Sequence, residues 1–200
     1  MRLATALMLV FTFDAICAVP QGESSKPKVS KDAVSDEQLA VYRAVLNDYM
    51  KDSRGTLNLS TNTYPLVVNE GCAQGFKLEQ TNSSVTLVHA FTTAPAPKVV
   101  LVDPEQQESK VKQNDPQNLI KKAIDEREPV TDGQLNKSLE LAFSTGLFSL
   151  SGIVFDKGHR HAIVSYSFVC GSLCGHGNDL VLEKTWKGWT VRKTCSSWIS

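Results

Sequence analysis

The 200-residue sequence predicts an α+β fold, an N-terminal amphipathic helix packed on a mostly antiparallel sheet that ends in a four-stranded C-terminal meander. Three observations predict it. Apolar residues recur at helical spacing from Leu39 to Tyr49, and strict two-residue alternation runs from His161 to Cys170. The C-terminal half also lacks the strand–helix alternation of a parallel α/β sheet. Hydrophobic residues at 42% and charged residues at 21% are the usage of a globular domain. Lysine plus arginine and aspartate plus glutamate both number 21, so the formal charge is zero. Without a basic surplus there is no electrostatic case for a nucleic acid or an anionic membrane surface as partner.

Met1-Arg2, the apolar run Leu3 to Phe13 and the small residues ending at Ala18 form a secretory signal peptide over 1–18. The apolar run is shorter than the roughly 20 residues that a membrane span needs. Cys17 follows Ile16, with Asp14 three residues before it, where a lipidation signal wants a small and a leucine-like residue. The expected product is secreted or periplasmic, with no transmembrane segment once the signal is removed. Residues 19–34 are polar and read as a flexible leader, leaving 35–200 as a single α+β domain.

Ser35 and Gln38 make a capping box ahead of Leu39, Tyr42, Val45, Leu46 and Tyr49, which predicts a helix over 36–51 with Gly55 as a left-handed stop. Thr56 to Thr93 reads as extended, with β-prone runs at Pro65–Val68 and Val85–Val88 and a strand histidine at His89. After the apolar run Val99 to Val102, residues 103–113 are polar apart from Val111 and read as an exposed loop. Asp115-Pro116 supplies a cap and a first-turn proline for a second helix, with Leu119, Ile120, Ala123 and Ile124 facing inward and Pro129 ending it. Residues 134–144 fit a helix through Leu135, Leu139 and Ala142, or a strand through Leu139, Leu141 and Phe143; the helix is the preferred reading.

The meander follows. Phe148, Leu150 and Val154 share one side of a strand, and Asp156-Lys157-Gly158 makes a turn. Ala162, Val164, Tyr166, Phe168 and Cys170 alternate with their neighbours; Leu180 to Lys184, a turn at Lys187-Gly188 and Trp189 to Arg192 complete four strands. Trp189 has core parity with Val191, whereas Trp186 or Trp198 is left for the surface.

The segment Cys170-Gly171-Ser172-Leu173-Cys174-Gly175-His176-Gly177 admits four chemistries. A papain-like nucleophile fails because Leu173 interrupts the motif and only His176 follows Cys174. Zinc could draw on Cys170, Cys174, His176, His159 and His161. A redox dithiol normally separates its cysteines by two residues, and here three intervene. The reading preferred for an exported chain is a structural disulfide across a turn in which Gly171, Gly175 and Gly177 adopt left-handed conformations. No catalytic residue, cofactor or metal is expected.

Ser151 to Ser200 resembles a group of uncharacterised secreted bacterial proteins with no assigned activity. The shared residues are Gly152 to Asp156, Ala162 to Tyr166, the Cys-Gly-x-Leu-Cys-Gly-x-Gly string from Cys170, Leu182, Lys184, Trp189, Val191 and Trp198-Ile199-Ser200. The resemblance implies export and domain boundaries and no catalytic residue. Cys72 and Cys195 are additions to that pattern. Four thiols allow three connectivities. Cys170 with Cys174 is expected from their shared glycine-rich turn, and Cys72 with Cys195 as the pair this chain adds. The functional expectation is a non-catalytic binding or structural domain of the envelope or periplasm, acting on an envelope or extracellular macromolecule. The alternative is an exported enzyme, a thiol-disulfide oxidoreductase through Cys170 and Cys174 or a hydrolase using His176.

Overall fold

A reciprocal capping box starts the first helix, α1 (Asp36–Met50): Ser35 Oγ accepts from the Gln38 amide at 3.2 Å, and Gln38 Oε1 accepts from the Ser35 amide at 2.9 Å. The computed structural model describes residues 34–52, 55–79, 84–87, 91 and 98–200. The signal peptide, Cys17, most of the leader and His89 lie outside them. Helical spacing places Val41, Tyr42, Val45, Leu46 and Met50 on one buried face of α1. Gly55 is not the left-handed stop expected, since the described glycines with positive φ are Gly75 and Gly188.

The described residues form a seven-stranded sheet from β1 (Leu57–Ser60), β2 (Val99–Val102), β3 (Leu147–Leu150), β4 (Val154–Phe155), β5 (His161–Gly171), β6 (Cys174–Thr185) and β7 (Gly188–Ile199). The order is β2-β1-β3-β5-β6-β7, with β4 also paired to β5. β5, β6 and β7 form the antiparallel C-terminal meander, and β3 and β4 pair antiparallel with successive stretches of β5. The fold is α+β. The other end of the sheet is parallel, because β1 pairs in parallel with both β2 and β3. Such pairing needs a long crossover, and the helices between 104 and 145 supply the one from β2 to β3.

Alternation along β5 sorts the sheet into two buried faces. Ala162, Val164, Tyr166, Phe168 and Cys170 join Phe148, Leu150, Leu180, Leu182 and Trp189 beneath α1. On the other face Ile163 and Val181 pack with Leu66, with Cys72 of the one-turn helix α2 (Glu70–Ala73) and with Val154. Val154 does not share the side of Phe148 and Leu150 as expected, because the strand is interrupted between Leu150 and Val154.

Several sequence expectations are corrected. Residues 103–113 are not a loop: Asp103 caps α3 (Pro104–Gln113) through the Gln106 amide, and Gln107 and Val111 are buried. The polar stretch becomes helical because Asp103-Pro104 carries the same cap-then-proline signal as Asp115-Pro116. In α4 (Pro116–Glu126), Ile120 and Ile124 do not face inward; they are 46% and 70% exposed, because α4 lies against α5 (Asp132–Thr145). α4 ends at Arg127 in a left-handed conformation, before Pro129 is reached. Thr131 and Gln134 form a capping box that opens α5, resolving the helix–strand ambiguity at 134–144. The extended region shrinks to β1 and isolated bridges; Pro65–Val68 is not a strand, and Val67 is exposed.

The cysteine–glycine string is a tight hairpin, with β5 running to Gly171, Ser172-Leu173 at the turn and β6 starting at Cys174. Gly171, Gly175 and Gly177 are not left-handed, so handedness is not why they are glycines. Close approach is. A Cβ at Gly177 would run into Trp198 Nε1 and come within 2.6 Å of the Tyr166 carbonyl, and one at Gly171 would lie 2.9 Å from Asp115 Oδ1. Trp189 is in the core, Trp186 is exposed, and Trp198 lies across β6 with 45% exposure.

Gly177→Ala should therefore destabilise the protein by about 2 kcal/mol in urea titrations, the cost of overpacking against fixed backbone. Gly133→Ala, in the first turn of α5 with nothing within 4 Å of its new methyl, should be neutral or stabilise by up to about 1 kcal/mol. Equal effects at the two positions would remove the close-approach explanation.

Candidate functional site

A concave, mostly apolar surface lies over the sheet face that carries α1, where His176 of β6 stands between α1 and α5. Two cavities of about 400 and 540 Å³ share His176 and Phe143 of α5. The larger adds Tyr49 at the end of α1, Leu57 and Phe168. The smaller adds Pro116, Leu139, Leu173, Ile199 and both Cys170 and Cys174. Together they form a groove floored by β5–β7 and walled by helices. Its volume is in the range that takes a small ligand or part of a chain.

The rings interlock. His176 stacks on Tyr49 with centroids 5.8 Å apart, and lies 5.6 Å from Phe168 and 6.2 Å from Tyr166. Phe143, itself 57% exposed, stacks on Phe168 at 6.2 Å. The imidazole makes these aromatic contacts and no hydrogen bond among the described residues. Burial holds its pKa below the ordinary 6.5 and pushes the Tyr49 phenol up to about 12. At neutral pH the imidazole is uncharged, and no hydrogen bond to a described residue engages either of its nitrogens; the charge on the lining is the Asp115 carboxylate at one edge.

One edge of the groove is braced by a carboxylate. Asp115, the cap of α4, accepts from the Ser172 amide at 2.8 Å, the Ser172 hydroxyl at 2.6 Å and the Gln117 amide at 2.9 Å. Burial raises its pKa, but these hydrogen bonds outweigh that effect and leave the carboxyl below its usual range. The hairpin tip is thus clasped to α4.

The four cysteines expected to be oxidised sit in two disulfides, Cys72–Cys195 with Cα atoms 5.4 Å apart and Cys170–Cys174 at 5.0 Å. The first ties α2 to β7 across 123 residues, and the second closes the hairpin beside His176. The candidate zinc set is not brought together. His159 is bound by Glu37 and Glu79, His161 by Asp156, and the described residues hold no cluster of three metal-ligating groups. No hydroxyl or thiol is hydrogen-bonded to the His176 ring among the described residues.

Sequence reading singled out His176 but missed Tyr49, Phe143 and Phe168, which come from three distant elements with no local signal joining them. It also missed an ionic clasp at the opposite end of α1. His159 Nδ1 lies 2.8 Å from Glu37, its Nε2 lies 3.3 Å from Glu79, and Lys184 meets Glu37 at 2.6 Å. His159 takes a left-handed φ of 49° and stacks on Phe155 at 4.8 Å. Its pKa is raised, chiefly by the hydrogen bond it donates to the Glu37 carboxylate, while Lys184 and His159 hold Glu37 below the usual 4.5.

No known family model, curated protein or solved structure matches the chain.

Two outcomes follow for stability. Removing Cys72 and Cys195 together should cost about 5 kcal/mol of loop entropy, against about 2 for Cys170 and Cys174; urea titration of the two double-alanine variants checks the order. The stabilisation from protonated His159 is complete below its unfolded pKa near 6.5 and is lost as pH rises through its higher folded value. That of ionised Glu37 is present above 4.5 and is lost as pH falls through its lower folded value. His159→Gln should thus cost most between about pH 4.5 and 6.5, by no more than about 1 kcal/mol because the ring is 42% exposed, and least near pH 9. A pH-independent loss would remove the ionic account.

Proposed function

We propose that the chain is an exported, non-catalytic binding domain of the bacterial envelope or periplasm, and that its ligand site is the groove around His176. One observation carries this reading: two adjoining cavities with mostly apolar walls, charged only at the Asp115 edge, meet at a neutral imidazole whose nitrogens no described residue engages. Burying apolar surface there contributes roughly 25 cal/mol per Å². The neutral imidazole, donor on one nitrogen and acceptor on the other, reads a single polar group. The ligand class is an apolar chain or ring, aromatic or acyl, carrying one hydrogen-bonding group, presented by an envelope or extracellular macromolecule. The two disulfides suit an oxidising compartment, as does the secretory signal read at residues 1–18.

The neutral fluorophore N-phenylnaphthylamine tests the reading. It should bind with micromolar affinity, and Phe143→Asp should weaken it about tenfold or more without lowering the melting temperature, since Phe143 is exposed. Binding should also fall as pH drops below 6.5, where protonation brings a charge into the groove, and the fall should vanish in His176→Phe. Absence of binding, or a Phe143→Asp variant that binds as the parent does, would overturn the proposal.

A further inference from the structure

α4 presents an anomaly. An 11-residue helix is too short to be stable on propensity alone and draws its stability from burying an apolar stripe, yet α4 buries none of its residues. Its stripe runs Pro116, Ile120, Ile124 at four-residue spacing, and Ile120 and Ile124 are 46% and 70% exposed. Ala123 and Leu119 turn toward α5 by the same periodicity, so the Ile120–Ile124 stripe is a separate face. Nothing among the described residues covers it.

We infer that this stripe is a self-association surface and that its occupant is α4 of a second copy, crossing antiparallel about a two-fold axis. The charge pattern selects that occupant. Lys121 and Asp125 lie on the same flank of the stripe, one turn apart, with the basic residue toward the start of the helix and the acidic one toward its end. A two-fold axis between antiparallel helices keeps each flank on the same side of the pair and reverses direction along it. Ile120 of one copy then meets Ile124 of the other, and each Lys121 comes beside the opposite Asp125. A parallel two-fold pairing would place the Lys121–Asp125 flanks of the two copies on opposite sides of the seam, where neither charge meets the other's partner. The inward flank does not compete, because Lys122 there is 3.9 Å from Glu126 of its own helix. The interface is isologous and closes at two copies. Asp115, which caps α4, also holds the Ser172 hairpin tip, so the stripe is carried on a braced helix. The stripe meets the groove only at Pro116, and the residues that carry the inference, Ile120, Lys121, Ile124 and Asp125, line neither groove cavity.

Sedimentation equilibrium of the purified protein tests the inference. A two-helix interface is at the small end of specific contacts, so dimer should predominate above about 100 µM. Ile124→Glu should leave the protein monomeric throughout with an unchanged circular dichroism melt, because the side chain is exposed in the single chain. Lys121→Glu should weaken association about five-fold, and the double variant Lys121→Glu with Asp125→Lys should restore it, since the exchanged charges again meet across the axis. Monomer at every concentration up to about 1 mM, or a dimer that persists in Ile124→Glu, would overturn the surface. Failure of the exchanged pair to restore a dimer lost in Lys121→Glu would overturn the antiparallel two-fold arrangement.

Discussion

Ser151 is the polar joint on which the fold turns. It sits between β3 and β4, fully buried, where the chain leaves one stretch of β5 and rejoins the next. Its amide donates to the Ser165 carbonyl at 2.9 Å, its hydroxyl accepts from the Ser165 amide at 2.8 Å and donates to the Gly152 carbonyl at 2.7 Å, and its carbonyl accepts from the Tyr42 hydroxyl at 3.0 Å. Tyr64 brackets the joint on the side of β1, its amide donating to Leu150 and its carbonyl accepting from Gly152. An interrupted strand inside a core would otherwise strand backbone polar groups away from water, each costing roughly 1–3 kcal/mol. One serine thereby secures α1, β3, β5 and the segment after β1, and burial raises the Tyr42 phenol pKa far above its usual value, keeping it a donor.

With that joint in place the sheet can be covered on both faces, and the two coverings do different work. α1 closes one face and, by stopping at Met50, leaves His176 at the mouth of a groove instead of under a helix. The other covering is thin, a one-turn helix and irregular backbone held to β7 by Cys72–Cys195. A small apolar cluster of Leu66, Val154, Ile163 and Val181 gathers beneath it. A covalent tie suits that side, where little secondary structure holds the segment down.

The elements that could be read from sequence are those whose signals are local. The Ser35–Gln38 box, the helical stripe of α1, the Asp115-Pro116 start, the alternation along β5 and the Lys187-Gly188 turn each involve residues within a few positions of one another. The misreadings share a cause as well. Residues 103–113 looked like a loop because they are polar, although Asp103-Pro104 is as good a helix start as Asp115-Pro116. Ile120 and Ile124 looked like core because an apolar stripe does not say what it packs against. The three motif glycines suggested handedness, whereas two of them make room for Trp198 and Asp115, side chains 21 and 56 residues away in sequence by their numbering.

Sequence by itself determined the fold class, the capped helices α1 and α4, the β5–β7 meander and the cysteines available for pairing, because propensity, capping and period-two patterning act over a few residues. Only the tertiary structure decided that β1 runs parallel to its neighbours, that His159 closes an ionic clasp with Glu37 and Glu79, and that Tyr49, Phe143 and Phe168 surround His176. Those residues come from elements up to a hundred or more positions apart, and their meeting depends on how the 104–145 crossover lays its helices against the sheet. Long-range packing of that kind is a property of the filled core as a whole, and no short window of the chain encodes it.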